Sequence, residues 1–168
     1  EYEVIDDMPE TFTGRCLGLD FGFVNDPTAI VDIRMEGWDL YVDLLCYEQG
    51  LLNSHIADYL NANALNRVIT VCDSAEQKSI VELQQKRIKA IPCVKGRGSV
   101  AAGIAQVKQF KLHVTKRSVK LLDELDNYKW IKDEVSDTYT NEAIDAWNHA
   151  LDALRYGVDF LIRKYRPK

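Results

Sequence analysis

Hydrophobic residues in the first third of the chain fall in short runs that turn residues separate. The first run ends at Asp20, and two further runs follow at residues 28–35 and 38–47. Pro27 and Gly37 stand between these runs and break them. Short apolar runs joined by tight turns predict three consecutive antiparallel strands.

Beyond residue 50 the pattern alternates between helix-like spacing and short apolar runs. Helical spacing predicts helices, and compact apolar runs predict strands. The predicted order is helix 52–65, strand 68–72, helix 74–88, strand 90–94, helix 100–110, strand 112–114, helix 118–128, a short strand at Trp130 and Ile131, and a long helix 141–163. A meander followed by alternating helices and strands predicts an α/β fold, with helices on both faces of a mixed sheet.

The long helix at the C-terminal end has two distinct faces. At about 100° per residue, one face is apolar and contains Ile144, Trp147, Leu151, Leu154, Val158 and Leu161. A narrow strip on the other side contains Asp145, His149, Asp152 and Tyr156. A solvent-exposed strip is the ordinary expectation for such a face. Two carboxylates and an imidazole within one and a half turns also suit metal ligation, directly or through an orienting partner.

Two predicted strands end in an aspartate. Asp20 follows the first apolar run, with Gly22 two residues later, and Asp73 follows the run at 68–72. If these strands are parallel neighbours, the two carboxylates meet at one edge of the sheet, where hard-oxygen ligands suit Mg²⁺ or Mn²⁺. The alternative is that each aspartate only starts a turn. Glu76 could join the pair or favour the start of the next helix.

Composition and length indicate one globular domain of 168 residues that carries a net charge of −5. The charge is unevenly distributed. Residues 83–122 contain no acidic residue and ten basic ones: Lys86, Arg87, Lys89, Lys95, Arg97, Lys108, Lys111, Lys116, Arg117 and Lys120. Such segregation is suited to a polyanion partner, while the alternative is a set of solvated faces. The KGRGS run at 95–99 allows close approach to phosphate or forms a turn, and no P-loop pattern occurs.

Cysteine usage and the first residues complete the picture. The four cysteines are far apart, lie in strand-like runs and lack zinc-ligand spacing, which predicts reduced, buried thiols. No apolar run is long enough to cross a membrane. The acidic stretch at 1–13 is typical of a linker-like lead, so we expect a domain at 14–168 cut from a longer protein.

The chain has an acid at the end of its first and fourth predicted strands and a further acid on its last helix. This arrangement resembles that of the RNase H-like nuclease and integrase superfamily. The run NHALDALRY at 148–156 resembles more specifically the C-terminal nuclease domain of the terminase large subunit of tailed bacteriophages. LGLDFG at 17–22, VCDSAE at 71–76 and KGRGS fit that family in order and spacing. The resemblance covers residues 14–165.

The resemblance implies a metal-dependent endonuclease that cleaves double-stranded viral DNA with little sequence specificity during genome packaging. It implies that Asp20, Asp73 and Asp152 bind two Mg²⁺ or Mn²⁺ ions and that His149 orients Asp152 or a metal-bound water. Asp145 and Glu76 are possible residues of the surrounding layer. The DNA-binding candidates are Lys95, Arg97, Lys108, Lys111, Lys116 and Arg117.

The same resemblance implies partners that the chain itself does not contain. These are an ATPase domain N-terminal to this one in the same polypeptide, the portal protein and the small terminase subunit. The expected location is the host cytoplasm, with no secretion and no membrane partner. Other interpretations stay open: an RNase H-like nuclease of the junction resolvase or transposase type, or a non-catalytic docking module of the motor. An actin-like ATPase would need a duplicated fold, which the chain lacks.

Overall fold

The computed structural model describes residues 1–95, 99–134 and 148–167 of the chain. Within these ranges the elements, in chain order, are β1 (Tyr2–Ile5), β2 (Gly14–Asp20), β3 (Thr28–Glu36), β4 (Asp39–Glu48), α1 (Asn53–Ala62), β5 (Thr70–Cys72), α2 (Gln77–Gln85), β6 (Ala90–Pro92), α3 (Ser99–Lys108), β7 (Lys111–Thr115), α4 (Val119–Glu134) and α5 (His149–Tyr165). In these parts of the chain no helix combines the length and the apolar character needed to cross a bilayer.

All seven described strands belong to one sheet, in the order β1-β7-β4-β3-β2-β5-β6. The pairs β2–β3 and β3–β4 are antiparallel. The pairs β2–β5, β5–β6, β4–β7 and β1–β7 are parallel. The predicted mixed sheet, an antiparallel meander extended by parallel strands and flanked by helices, is therefore confirmed.

Helices cover both faces of the central strands, which explains their continuous apolar runs. Successive residues of β2 point to opposite faces: Cys16 packs in one apolar cluster with Leu154 of α5, while Leu17 packs in another with Leu60 of α1. The described part of the predicted apolar face of α5 is buried at Leu154, Val158 and Leu161. Ile144 and Trp147 lie outside the described residues.

Two glycines let α5 cross β2 and β3 closely. A Cβ atom at Gly18 of β2 would lie 1.9 Å from the backbone oxygen of Ala153. A Cβ at Gly157 of α5 would lie 2.3 Å from Ile33 Cδ1 and 3.0 Å from the sulfur of Cys16. At Gly18 the neighbour is backbone, so no side chain fits, whereas a side chain at Gly157 would force the tip of Ile33 to move. The crossing therefore brings the first turns of α5 near the end of β2.

Two predictions from the pattern differ from the structure. Trp130 and Ile131 lie within α4, so the predicted short strand is wrong. A pair of apolar residues does not distinguish a strand from the continuation of a helix. The long helix begins at His149 in the described part, and the predicted stretch 141–147 lies outside it. The other predicted strands and helices are present with ends shifted by a few residues.

Part of the acidic lead also has regular structure. Tyr2 to Ile5 form edge strand β1, which pairs with β7 so that Tyr2 lies opposite Leu112 and Ile5 opposite Thr115. The open edge of β7 offers backbone groups that a short extended segment satisfies. A linker role for residues 1–13 stays a prediction. The cysteines are free thiols as expected; Cys46 is half-buried and the other three are buried.

Candidate active site

The ends of β2 and β5 bring two aspartates to one edge of the sheet. The strands are parallel neighbours in which Leu19 lies opposite Cys72. Asp20 and Asp73 are the next residue on each strand, so they leave the sheet side by side, about one strand spacing of ~4.8 Å apart. The predicted convergence of Asp20 and Asp73 is present in the structure.

The first turns of α5 add His149 and Asp152 to this edge. The Nδ1 atom of His149 lies 3.7 Å from Oδ2 of Asp20, and its Nε2 atom lies 3.6 Å from Oδ1 of Asp26. Interaction with Asp20 raises the pKa of His149 above its ordinary value, and partial burial opposes this. The imidazole thus neighbours Asp20 and Asp26, whereas the resemblance implied Asp152 or a metal-bound water as its partner.

Asp20 is the most electrostatically unfavourable carboxylate of the group. Its side chain is only 12% exposed. Burial raises its pKa from 3.8 to about 6, and the negative charges of Asp152 and Asp73 add to this effect. The contact with His149 acts in the opposite direction without cancelling it. Asp20 is therefore a buried acid whose charge the surrounding protein only partly compensates, as expected where a cation binds.

The other two acids are paired with cations. The ammonium nitrogen of Lys95 lies 2.5 Å from Oδ1 of Asp73. A guanidinium nitrogen of Arg155 lies 2.5 Å from Oδ1 of Asp152, one helical turn away on α5. Burial raises the pKa of Asp152, and the charge of Arg155 opposes that shift. The two cations offset part of the negative charge around Asp20.

The ring of Tyr156 lies near both cations of the site, Lys95 and Arg155. Its ring is 7% exposed, and its centroid lies 5.7 Å from the Lys95 ammonium and 5.6 Å from the guanidinium carbon of Arg155. Burial raises the pKa of the Tyr156 hydroxyl well above its usual range, and Asp20, Asp152 and Asp73 raise it further. The described part of the predicted polar strip on α5 thus turns toward the site. Asp145 lies outside the described residues.

Glu124 contributes to the site but was not among the residues predicted from the sequence. This residue of α4 is 1% exposed and accepts hydrogen bonds from the backbone amides of Ala150 and Leu151 at 3.1 and 3.0 Å. It also accepts one from the hydroxyl of Tyr47 at 2.7 Å. Asn148, at the N-cap position, makes no side-chain cap bond. Glu124 therefore caps α5 from another helix and holds its first turn in place.

Arg155 was also missed by the sequence analysis, although its i, i+3 spacing from Asp152 on a helix is a recognisable signal.

The remaining candidate residues are scattered. Glu76 is exposed at the N-cap position of α2, without a side-chain cap bond. Lys108 is exposed at the end of α3, and Arg97 lies outside the described residues. Lys111 is the first residue of β7, which runs parallel to β4. Since β4 and β2 are both antiparallel to β3, Lys111 lies at the opposite end of the strands from Asp20. Of the predicted DNA-binding residues that the structure describes, Lys95 contacts an acid of the site, whereas Lys111, Lys116 and Arg117 pair with acids outside it.

Acidic residues of the lead neutralise several of these cations. Lys111 pairs with Glu3 at 3.4 Å, and Lys116 pairs with Asp6 at 3.2 Å. Arg117 pairs with Asp7 at 3.1 Å and with Asp43 at 2.8 Å. The positive charge of residues 83–122 is therefore partly offset in three dimensions by acids distant in sequence.

Within the described residues, no three His, Cys, Asp or Glu side chains are already arranged to hold one metal ion. Asp73 and Asp152 each turn an oxygen toward a protein cation instead. The donor chemistry nevertheless suits a divalent ion, because oxygen ligands surround a buried carboxylate whose charge is incompletely balanced. A divalent ion bound through Oδ1 of Asp73 would displace the Lys95 ammonium from that oxygen.

A meander continued by parallel strands, with acids at two neighbouring strand ends and on the last helix, defines an RNase H-like domain. The profile of the family described as "Terminase RNAseH like domain" matches residues 20–159. The chain belongs to this terminase family.

Solved structures of similar fold come from bacteriophages. The large terminase nuclease domain of phage SPP1, with bound Mn, has a TM-score of 0.71 and 22% identity, covering 89% of this chain and 87% of that one. The large terminase nuclease of phage G20c, with bound zinc, has a TM-score of 0.62 and 16% identity, covering 98% and 95%. These likenesses establish the fold.

The large terminase of the thermophilic phage D6E is a longer relative in structure. It has a TM-score of 0.70 and 18% identity, and the alignment covers 95% of this chain but 42% of that chain. The present chain thus spans about two fifths of the D6E protein. No curated protein sequence matches the chain.

Proposed function

We propose that this domain is a metal-dependent endonuclease that cleaves double-stranded viral DNA, with little sequence specificity, during genome packaging. The observation that carries the proposal is Asp20, a buried carboxylate at a strand end beside Asp73 and Asp152. Such a concentration of incompletely balanced negative charge is unfavourable in a folded protein unless a cation uses it. Membership of the terminase family supports the proposal that these acids bind the metal ions of a nuclease.

Mg²⁺ or Mn²⁺ is the proposed cofactor, with two ions in the site. Support comes from the all-oxygen donor set and from the bound Mn in the SPP1 structure and zinc and cobalt in the G20c structures. Two such ions would supply an activated water and stabilise the leaving oxygen of phosphodiester hydrolysis. Asp20 would contribute to both ions, and Asp73 and Asp152 would each complete one side.

The protein's own cations have distinct roles in this proposal. His149 favours the ionised form of Asp20, which is the form that binds a cation. Lys95, whose side chain is 42% exposed, would release Asp73 and hold a phosphate of the DNA backbone. Arg97, Lys108, Lys111, Lys116 and Arg117 would contribute non-specific backbone contacts of lower weight. Such contacts make cleavage strongly dependent on salt and weakly dependent on sequence.

The proposed setting is the packaging motor in the host cytoplasm. This chain would be the C-terminal part of a large terminase subunit, joined through residues 1–13 to an ATPase domain and working with the portal protein and the small subunit. The share of the D6E large terminase that the chain covers supports a longer parent protein, and D6E structures contain ATP-gamma-S or ADP.

The test is cleavage of supercoiled plasmid by the purified chain in Mn²⁺, Mg²⁺ or EDTA, with Asp20→Asn and Asp73→Asn. We expect metal-dependent nicking and linearisation that falls roughly 10³-fold or more in both variants, because a metal ligand contributes several kcal/mol. Asp58→Asn is the matched control, since Asp58 is an exposed acid on α1.

Other outcomes assign the chain differently. Wild-type cleavage rates in Asp20→Asn would contradict the site. A strong preference for branched over linear DNA would favour a junction resolvase. A folded wild-type chain that cleaves in no metal would favour the docking module.

A further inference from the structure

The two cations that touch the acids of the site are held in different ways. The side chain of Lys95 is 42% exposed where it meets Asp73. The side chain of Arg155 is 12% exposed where it meets Asp152. An exposed lysine on a flexible stem exchanges partners readily, whereas a buried guanidinium does not leave its carboxylate without losing solvation.

Packing against α3 fixes Arg155 further. A Cβ atom at Gly103 of α3 would lie 3.0 Å from Cδ of Arg155 and 3.3 Å from one of its terminal nitrogens. The arginine stem therefore lies close against the backbone of α3, where a methyl group at position 103 would push it away by a few tenths of an ångström. On its other side the guanidinium stacks near the ring of Tyr156, whose centroid is 5.6 Å away.

This packing has a consequence for Asp152. One guanidinium nitrogen of Arg155 occupies Oδ1 of Asp152 at 2.5 Å. A carboxylate held at one oxygen has a fixed orientation and offers its second oxygen, Oδ2, to another cation. The same fixed positive charge repels a divalent ion nearby, because like charges separated by a few ångströms interact strongly away from bulk water.

We propose that Arg155 is a positioning residue of the nuclease site. Packed against Gly103, it remains bound to Asp152 and orients that carboxylate toward a divalent ion. Its positive charge lowers the affinity of the site for that ion. The inference rests on the proposed nuclease function. It separates the two cations by role, since Lys95 exchanges its partner during the reaction and Arg155 keeps it. Neither composition nor the family membership assigns a role to Arg155.

The test measures affinity and rate separately. Mn²⁺ binding to the DNA-free chain is measured by titration calorimetry, and plasmid cleavage is measured at saturating Mn²⁺. For Arg155→Gln we expect Mn²⁺ to bind about tenfold more tightly and the maximal rate to fall about tenfold or more, each factor of ten being ~1.4 kcal/mol. Arg155→Lys keeps the charge and loses the planar fork, so we expect Mn²⁺ affinity within about twofold of wild type and a reduced maximal rate.

Two further variants guard against a purely structural effect. Gly103→Ala leaves every charge in place and displaces Arg155, so its maximal rate should fall while Mn²⁺ affinity stays the same or rises. Methylguanidinium added to Arg155→Ala should restore part of the rate. Circular dichroism checks that each variant is folded, and Arg155→Lys and Gly103→Ala carry the test if Arg155→Gln does not fold.

Several results would overturn the inference. Unchanged rates in Arg155→Lys and Gly103→Ala would show that Asp152 needs no such positioning. Weaker Mn²⁺ binding in a folded Arg155→Gln, as expected for Asp152→Asn, would show that Arg155 only maintains the site. A wild-type chain that cleaves and whose Arg155 variants match it overturns this inference alone. A wild-type chain that neither binds Mn²⁺ nor cleaves overturns the proposed function as well.

Discussion

Two buried aspartates on the same sheet have opposite surroundings. Asp43 of β4 is 6% exposed and Asp20 of β2 is 8% exposed. Asp43 accepts two hydrogen bonds from Arg117, at 2.9 and 2.8 Å, and one from the hydroxyl of Thr115 at 2.7 Å. Asp20 has a histidine at 3.7 Å and two further acids nearby.

The difference separates a carboxylate whose charge the fold balances from one whose charge the fold leaves only partly balanced. The hydrogen bonds with Asp43 and Asp7 raise the pKa of Arg117, so its guanidinium stays charged across the accessible pH range. Asp20 shows the reverse, because burial raises its own pKa to about 6. Removing a buried acid from its matched guanidinium leaves that cation without its partner and destabilises the fold, while removing the charge of a buried acid among other acids relieves repulsion and desolvation.

Asparagine substitution at the two positions should therefore have opposite effects on stability, with the larger effect at Asp43. We expect Asp43→Asn to lower the free energy of unfolding by about 2–3 kcal/mol, since it removes the negative charge that accepts the hydrogen bonds of Arg117 and Thr115. Urea denaturation at pH 7 measures this. Cleavage per folded molecule should be retained. A neutral or stabilising Asp43→Asn would erase the distinction between the two acids.

At Asp20 the same substitution should stabilise the metal-free protein at neutral pH by about 1–2 kcal/mol. A folded-state pKa near 6 against 3.8 in the unfolded chain means that the unfolded state releases its proton first as pH rises. Stability from this group is therefore lost between about pH 4 and pH 6 and stays low above that. The two-unit difference is worth up to ~3 kcal/mol, and the lost contact with His149 reduces the gain.

Urea denaturation of the wild-type chain and Asp20→Asn in EDTA, from pH 4.5 to 7, checks this sign. The stability difference between them should be small at pH 4.5 and should grow toward pH 6.5. Asp58→Asn, on the exposed face of α1, serves as the control and should parallel the wild type. A difference that shrinks with rising pH would mean that the folded protein favours the ionised form of Asp20.

Much of the fold could be predicted because local patterns and the sheet agree. Strands covered on both faces read as apolar runs, and the parallel pairing of β2 with β5 follows from the helix and strand order between them. The sequence analysis predicted that Asp20 and Asp73 meet if their strands are parallel neighbours, and the structure shows that pairing. The predicted strand at Trp130 and Ile131 was wrong because two apolar residues are too few to show the spacing of either a strand or a helix.

Features that depend on distant partners could not be read from the sequence. The basic stretch at 83–122 suggested a positive surface, yet Lys116 and Arg117 meet Asp6 and Asp7 of the lead. Those acids are more than a hundred residues away, so charge counted along the chain overstated the charge in space. The packing of Arg155 on Gly103 is a tertiary contact of the same kind.

Glu124 is a third buried acid and an intermediate case, which gives the smallest expected effect. Like Asp43 it has defined donors, and like Asp20 it has a pKa raised by burial, although its hydrogen bonds oppose that shift. We expect Glu124→Gln to lower the free energy of unfolding by about 1 kcal/mol, the usual value of an N-cap interaction. The side-chain oxygen of the glutamine can still accept a hydrogen bond from one backbone amide of α5. Its NH₂ group is a donor and cannot accept the bond from the other amide.

The informative readout for Glu124→Gln is cleavage as well as stability. Since Glu124 caps the turn of α5 that contains His149 and Asp152, the cap transmits a small loss of order to the site. We expect a reduction of about two- to fivefold in cleavage rate, comparable to the ~0.4–1 kcal/mol carried by one cap bond. Tyr47→Phe, which removes one donor to Glu124 and keeps the ring that packs edge-on against His149, is the matched control and should affect stability more than cleavage. An equal loss of cleavage in both variants would assign the effect to the core around Glu124 and not to the helix cap.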